Sequence, residues 1–210
     1  MQTVLLRSLL AFLLVILSLS TAQAQDSRDT RYLDGTYEVW ASPDEAARPI
    51  GKLLVAAPLQ VVSQTGDWVE VSLEGWTQTG AERVLYAAPG IRVLRAALAK
   101  SATDQLQFSE SITDPDTDLI WTRTALTGWL KAPVLQPSLQ DIWDRAEPLF
   151  GERCTACHQR RIADHYTANQ WTSHLKVMGP RTGLPKDDQF LIRAYLQHHA
   201  KDAARLFNTP

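Results

Sequence analysis

The chain has 210 residues, 45% of them apolar and 21% charged, and its 23 acidic and 21 basic side chains give a formal charge of −2. This is the composition of a globular protein, neither collagen-like nor disordered. It also lacks the cationic excess needed to neutralise nucleic-acid phosphates, which removes nucleic acid as a partner class.

The first segment carries one basic residue, Arg7, ahead of the apolar run Leu9 to Leu17, and Ala22-Gln23-Ala24 places small residues at the −3 and −1 positions. That is the pattern of a secretory signal peptide over 1–24, cleaved after Ala24. Removing 24 of 210 residues leaves 186 and, with Arg7 gone, shifts the formal charge from −2 to −3. No second apolar run is long enough to span a bilayer, so the expected product is an exported, periplasmic protein with no membrane span after cleavage.

Next come two segments rich in Trp. Trp68 and Trp76 lie eight residues apart, as do Trp121 and Trp129, and the second pair follows the first by 53 residues. Each pair ends in Gly-Trp, at Gly75-Trp76 and Gly128-Trp129. Apolar alternation bounded by Pro, Gly and Asp reads as β-structure, and the period predicts a module occurring twice, over 25–80 and 81–132. Tyr37-Glu38-Val39-Trp40 through Leu53-Leu54 to Gly75-Trp76 resembles bacterial SH3-like barrels. By that resemblance Trp40, Trp68 and Trp76 could form a ligand-binding surface; the competing expectation is that repeated Trp residues are barrel core.

Beyond Lys131, Pro133 and Pro137 mark a linker and the periodicity becomes helical over 138–210. Ser138 is the expected N-cap of a helix carrying Leu139, Ile142, Trp143, Ala146, Leu149 and Phe150, with Pro148 predicted to kink or break it. Thr167 and Gln170 form a capping-box pattern for a second helix bearing Trp171, Leu175 and Met178, stopped by Gly179-Pro180. Pro185, Asp187 and Asp188 open a third, with Leu191, Ile192, Tyr195, Leu196 and His199 as its buried stripe. The predicted fold class is therefore multidomain α and β: SH3-like small β-barrel repeats followed by a small all-α domain.

Both cysteines of the chain fall in Cys154-Thr155-Ala156-Cys157-His158. C-x-x-C-H is the attachment sequence of a c-type haem. Two thiols at this spacing reach the two vinyl groups, and His158 offers an imidazole nitrogen to the iron. One covalent haem c uses both cysteines and leaves none for a disulfide. For the distal iron position Met178 is the candidate, being the one Met left after cleavage, with His174 and His165 as alternatives. Met178 could instead pack on Trp171. His165, Arg160, Arg161 and Arg181 could meet haem propionates, or the arginines could be solvated surface. His198 and His199 read as structural residues whose imidazolium form the helix dipole favours.

The haem segment, with His165 to Trp171, Met178 and Tyr195 to Ala200, resembles the C-terminal monohaem portion of pentahaem TorC-type cytochromes of trimethylamine N-oxide respiration. Gly75-Trp76, Val84-Leu85-Tyr86 and Gly128-Trp129 look similar to the β-rich region before that haem. Members of that family begin with a tetrahaem, quinol-oxidising module, whereas this sequence has a single C-x-x-C-H. The resemblance implies a non-enzymatic electron carrier that receives electrons from a separate donor protein and delivers them to a periplasmic molybdoenzyme reducing an N-oxide or S-oxide. A haem-based sensor, and an interaction protein targeted by its SH3-like half, are the other readings the residues allow.

Overall fold

The computed structural model describes residues 30–155, 159 and 161–207, apart from the side chain of Arg205. The expected signal peptide lies outside the described residues. Among the described residues there are ten strands: β1 (Thr30–Leu33), β2 (Tyr37–Val39), β3 (Gly51–Leu53), β4 (Pro58–Thr65), β5 (Trp68–Gln78), β6 (Val84–Ala88), β7 (Ile91–Leu98), β8 (Leu106–Thr113), β9 (Ile120–Lys131) and β10 (Leu135–Gln136). The described residues also form four α-helices on either side of the haem segment: α1 (Leu139–Arg153), α2 (Ala168–Met178), α3 (Lys186–His198) and α4 (Ala203–Phe207).

All ten strands belong to one antiparallel sheet, in the order β10-β1-β4-β5-β6-β7-β3-β2, with β9 paired to both β5 and β8. Its spine is β5 against β9, in register from Trp68 opposite Lys131 to Gln78 opposite Trp121. Alternation along β5 sends Val71 and Leu73 inward and leaves Trp68, Trp76 and Glu74 on the other face. The sheet curls until Trp40, just after β2, meets Trp129 of β9; each main-chain N–H donates to the other's carbonyl, at 2.9 and 2.8 Å. Leu33, Val39, Leu53, Leu59, Leu73, Leu85, Leu126 and Leu130 fill the enclosed interior.

The predicted fold class is corrected at two points. The Trp-bearing segments are not two barrels in series: they are the two longest strands of a single sheet, hydrogen-bonded to each other. An antiparallel pair places residues 53 apart at opposite ends, so Trp76 faces Arg123, not Trp129. Nor do the helices form an all-α body of their own. Val55 and Ala56, which follow β3, and Val93 of β7 join Ile142, Trp143, Phe150, Trp171, Ile192 and Leu196 in one buried cluster. Hydrogen bonds fasten this seam. The Arg92 N–H donates to Asn169 Oδ1 at 2.7 Å, Asn169 Nδ2 donates to the Gly90 carbonyl at 2.8 Å, and Gln197 Nε2 donates to the Arg92 carbonyl at 3.1 Å.

The repeated Gly-Trp pairs have a packing reason. A Cβ at Gly128 would stand 2.6 Å from a Val39 methyl and 3.1 Å from the Trp40 carbonyl oxygen, and one at Gly75 would stand 2.9 Å from the Tyr86 carbonyl oxygen. Each glycine lets a second strand pass close over the spine. The four tryptophans do not share a fate: Trp121 is buried against Tyr86, ring centres 5.5 Å apart, whereas Trp68 is half-buried edge-on to Trp40 at 5.2 Å.

The helices begin where their caps predict. Ser138 Oγ accepts from the Gln140 N–H at 2.9 Å, and Thr167 and Gln170 satisfy each other's main-chain N–H groups in a complete capping box. α1 runs through Pro148 instead of breaking. The carbonyl deprived of a partner there is that of Asp144, on the exposed face, where water can serve it. α2 ends at Met178 as expected, but Gly179 is right-handed and continues into a 3-10 turn over Gly179–Thr182, closed by Gly183 at φ 70°.

Candidate functional site

Cys154 caps the C-terminus of α1, and its N–H donates to the Phe150 carbonyl at 3.1 Å. The next residue prolongs that end, Thr155 Oγ1 donating to the Gly151 carbonyl at 2.7 Å. The Cys154 thiol is free and half-buried, and burial pushes its pKa above the ordinary thiol value. One turn before it, Phe150 is fully buried against Tyr195 of α3, 6.3 Å between ring centres. α1 and α3 are thereby locked together one turn before Cys154. Cys157, His158 and Arg160 lie outside the described residues.

The remaining candidates separate into groups. His165 is exposed and ends a short 3-10 turn over Ala163–His165. His174 is half-buried on α2, its ring 4.4 Å from Tyr166 and 5.9 Å from Trp171, and it opens on a shallow depression shared with Arg92 of β7. Trp171, only 2% exposed, donates from Nε1 to the Ala163 carbonyl at 2.7 Å, which fixes the chain between the haem segment and α2. Met178, the last residue of α2, is half-buried, and among the described residues its side chain is not part of either hydrophobic core. Arg161 and Arg181 are exposed and make no ion pair among the described residues.

A covalently held, largely apolar planar group needs a free thiol and an apolar bed that protein alone leaves uncovered. Cys154 supplies the first. Cys154, Ala163, Tyr166, Leu175 and Leu184 supply the second, since all pack against the helical core while remaining partly exposed. The residues present fit a haem.

Sequence reasoning missed the polar groups on the sheet-facing side of α3. Gln197 is 2% exposed and donates to Ala168, Thr172 and Arg92, while His199, expected in the buried stripe, is exposed. His198 lies between Trp143 and Phe207, at 5.0 and 3.8 Å. Burial first, then His199 and Arg95, lower its pKa to about 3, so the expected imidazolium is corrected to a neutral ring. A cavity of about 560 Å³ opens beside it, between α3 and strands β5 to β7, with Arg95 and Arg193 on its wall. The one sequence signal for it was Arg95, a charge set inside the apolar strand Ile91–Leu98.

Residues 25–135, more than half of the chain, match the family model described as the TorC third cytochrome c domain. The match covers the curled sheet and ends before Cys154. The chain is 32% identical over 184 residues to the cytochrome c-type protein TorC of Escherichia coli K12, covering 87% of this chain and 47% of that protein. It is 32% identical over 154 residues to the cytochrome c-type protein TorY of Haemophilus influenzae, covering 73% and 42% respectively. The chain thus spans about half the length of the curated relatives it matches. No solved structure matches it. These matches place the chain in the TorC family of c-type cytochromes.

Proposed function

We propose that this protein is a periplasmic monohaem cytochrome c that passes single electrons from a separate donor protein to a molybdoenzyme reducing an N-oxide or S-oxide. The observation that carries the reading is the half-buried, free Cys154 thiol at the end of α1, in the chain's single C-x-x-C-H and beside an uncovered apolar bed. Cys154 and Cys157 would form the two thioethers and His158 the proximal iron bond. Bound haem supplies a one-electron couple and no substrate chemistry. The chain's part is to hold the group between α1, α2 and α3, keep water from its apolar face, and leave an edge accessible to partners.

Met178 is the distal ligand in this reading. Its thioether belongs to neither core, whereas His174 is engaged by Tyr166 and Trp171. A thioether ligand closes the sixth position and raises the potential relative to bis-histidine ligation.

Mass spectrometry of the exported protein should show one covalent haem per chain, lost in Cys154→Ser. In Met178→Ala the weak sulfur-to-iron band of the oxidised form should vanish, the potential should fall, and the reduced form should bind carbon monoxide. An unchanged band and potential would assign the ligand elsewhere. Reduced protein mixed with a molybdenum-dependent N-oxide reductase and its substrate should be reoxidised within seconds, and failure to reoxidise removes that class of partner.

A further inference from the structure

The cavity beside α3 is distinct from the haem segment. Leu139, the first residue of α1, lies on its wall, and Cys154 follows the far end of that 15-residue helix. At 1.5 Å per residue the two are about 22 Å apart. Its volume of about 560 Å³ is that of a small-molecule site, not of a packing defect.

Its wall combines two chemistries. Trp76, Phe190, Phe207 and Leu206 give it apolar and aromatic faces, and Arg95 and Arg193 bring guanidinium groups. The acid on the wall is Glu74, and its carboxylate is already bonded to Arg123 at 2.8 Å. Arg95 is left with a main-chain partner, the Glu74 carbonyl at 2.7 Å. Arg193 has the face of Phe190, 4.8 Å from its guanidinium carbon. Among the described residues neither guanidinium bonds to a carboxylate. Loss of solvent lowers the pKa of both, that of Arg95 to about 10, and Arg95 adds to the forces keeping His198 neutral. The Glu74 charge offsets part of the burial of Arg95, but two half-buried cations with no carboxylate bonded to either are costly to maintain, and an entering anion relieves that cost. A planar guanidinium fork suits a carboxylate, which it can hold through two parallel hydrogen bonds.

We propose that this cavity binds an amphipathic organic carboxylate, with its carboxylate on Arg95 and Arg193 and its apolar body against Trp76, Phe190 and Phe207. The apolar walls argue against a bare inorganic anion, and the unpaired guanidiniums argue against a neutral apolar ligand. The site stands independently of the electron-transfer reading, because Cys154, His165, His174 and Met178 are not among its described lining residues.

Calorimetric titration of the haem-loaded full-length protein with octanoate, octanol and inorganic phosphate tests it. Octanoate should bind saturably at one per chain, at least tenfold tighter than either octanol or phosphate. Arg193→Gln should weaken octanoate at least tenfold while leaving the haem spectrum unchanged and the ligand-free melting temperature no lower than that of the native protein. Arg193→Lys should recover part of the affinity. Octanoate should raise the melting temperature of the native protein but not of Arg193→Gln. Absence of saturable octanoate binding overturns the proposal. Equal binding of octanol would show an apolar void, equal binding of phosphate a bare anion site, and undiminished affinity in Arg193→Gln a different location; each of these also overturns it.

Discussion

His198 and His199 share the end of α3 and inhabit different surroundings. His199 is exposed, its Nδ1 2.7 Å from the Tyr195 carbonyl. His198 is stacked on Phe207, and burial, His199 and Arg95 depress its pKa to about 3 from an ordinary 6.5. The helix dipole favours a charged imidazole here, but its contribution is smaller than the cost of charging a ring enclosed by Trp143, Phe207 and a nearby guanidinium. The consequence is a definite pH dependence. A depressed histidine pKa means the unfolded chain binds the proton more readily, so the stability His198 contributes is complete above about pH 6.5 and is lost as pH falls toward 3. Between pH 6.5 and 5 the loss should be about 2 kcal/mol. Denaturant midpoints at the two pH values measure it. His198→Phe keeps a stacked ring and should flatten the slope; an undiminished slope in that variant would assign the titration to another group.

At the scale of elements, the helices were readable and the sheet was not, for a physical reason. Caps act within four residues, so Ser138 and the Thr167/Gln170 pair announced their helices directly. Thr167→Ala should cost about 1 kcal/mol in thermal or denaturant unfolding. C-x-x-C-H is as plain a pattern, because its chemistry depends on spacing and not on fold, but Cys157 and His158 lie outside the described residues. Strand character in β5 and β9 was also visible, but pairing is non-local, and a 53-residue period suggested successive modules where the chain instead folds one Trp strand antiparallel onto the other. The exposed Asp144 carbonyl is likewise why Pro148 left α1 intact, a fact that depends on which face meets water. What the repeat did encode is close approach at Gly75 and Gly128. A methyl at 128 must displace Val39 or the Trp40 main chain, where the sheet meets itself. Gly128→Ala should therefore destabilise by about 1–3 kcal/mol. Trp40 and Trp129 should also lose amide protection against hydrogen exchange, since their paired N–H groups depend on that contact. A substitution as mild as a surface Gly→Ala would contradict the register.

For the whole molecule, the decisive observation is that Val55, Ala56 and Val93 of the sheet belong to the same buried cluster as Trp143, Phe150 and Trp171 of the helices. Asn169 and Gln197 carry hydrogen bonds across the same seam to Gly90 and Arg92. Helices that complete their core with sheet side chains lose apolar burial when the sheet is removed, and about 70 residues offer little core to compensate. Residues 31–207 should consequently unfold as one cooperative unit, with the Soret band reporting the helical layer and tryptophan fluorescence reporting mainly the sheet. The two thermal transitions should coincide within error, and Val93→Ala, a sheet substitution, should lower both midpoints equally. If Val93→Ala shifted the fluorescence midpoint while leaving the haem transition in place, the seam would carry little energy. The helical layer would then be stable on its own.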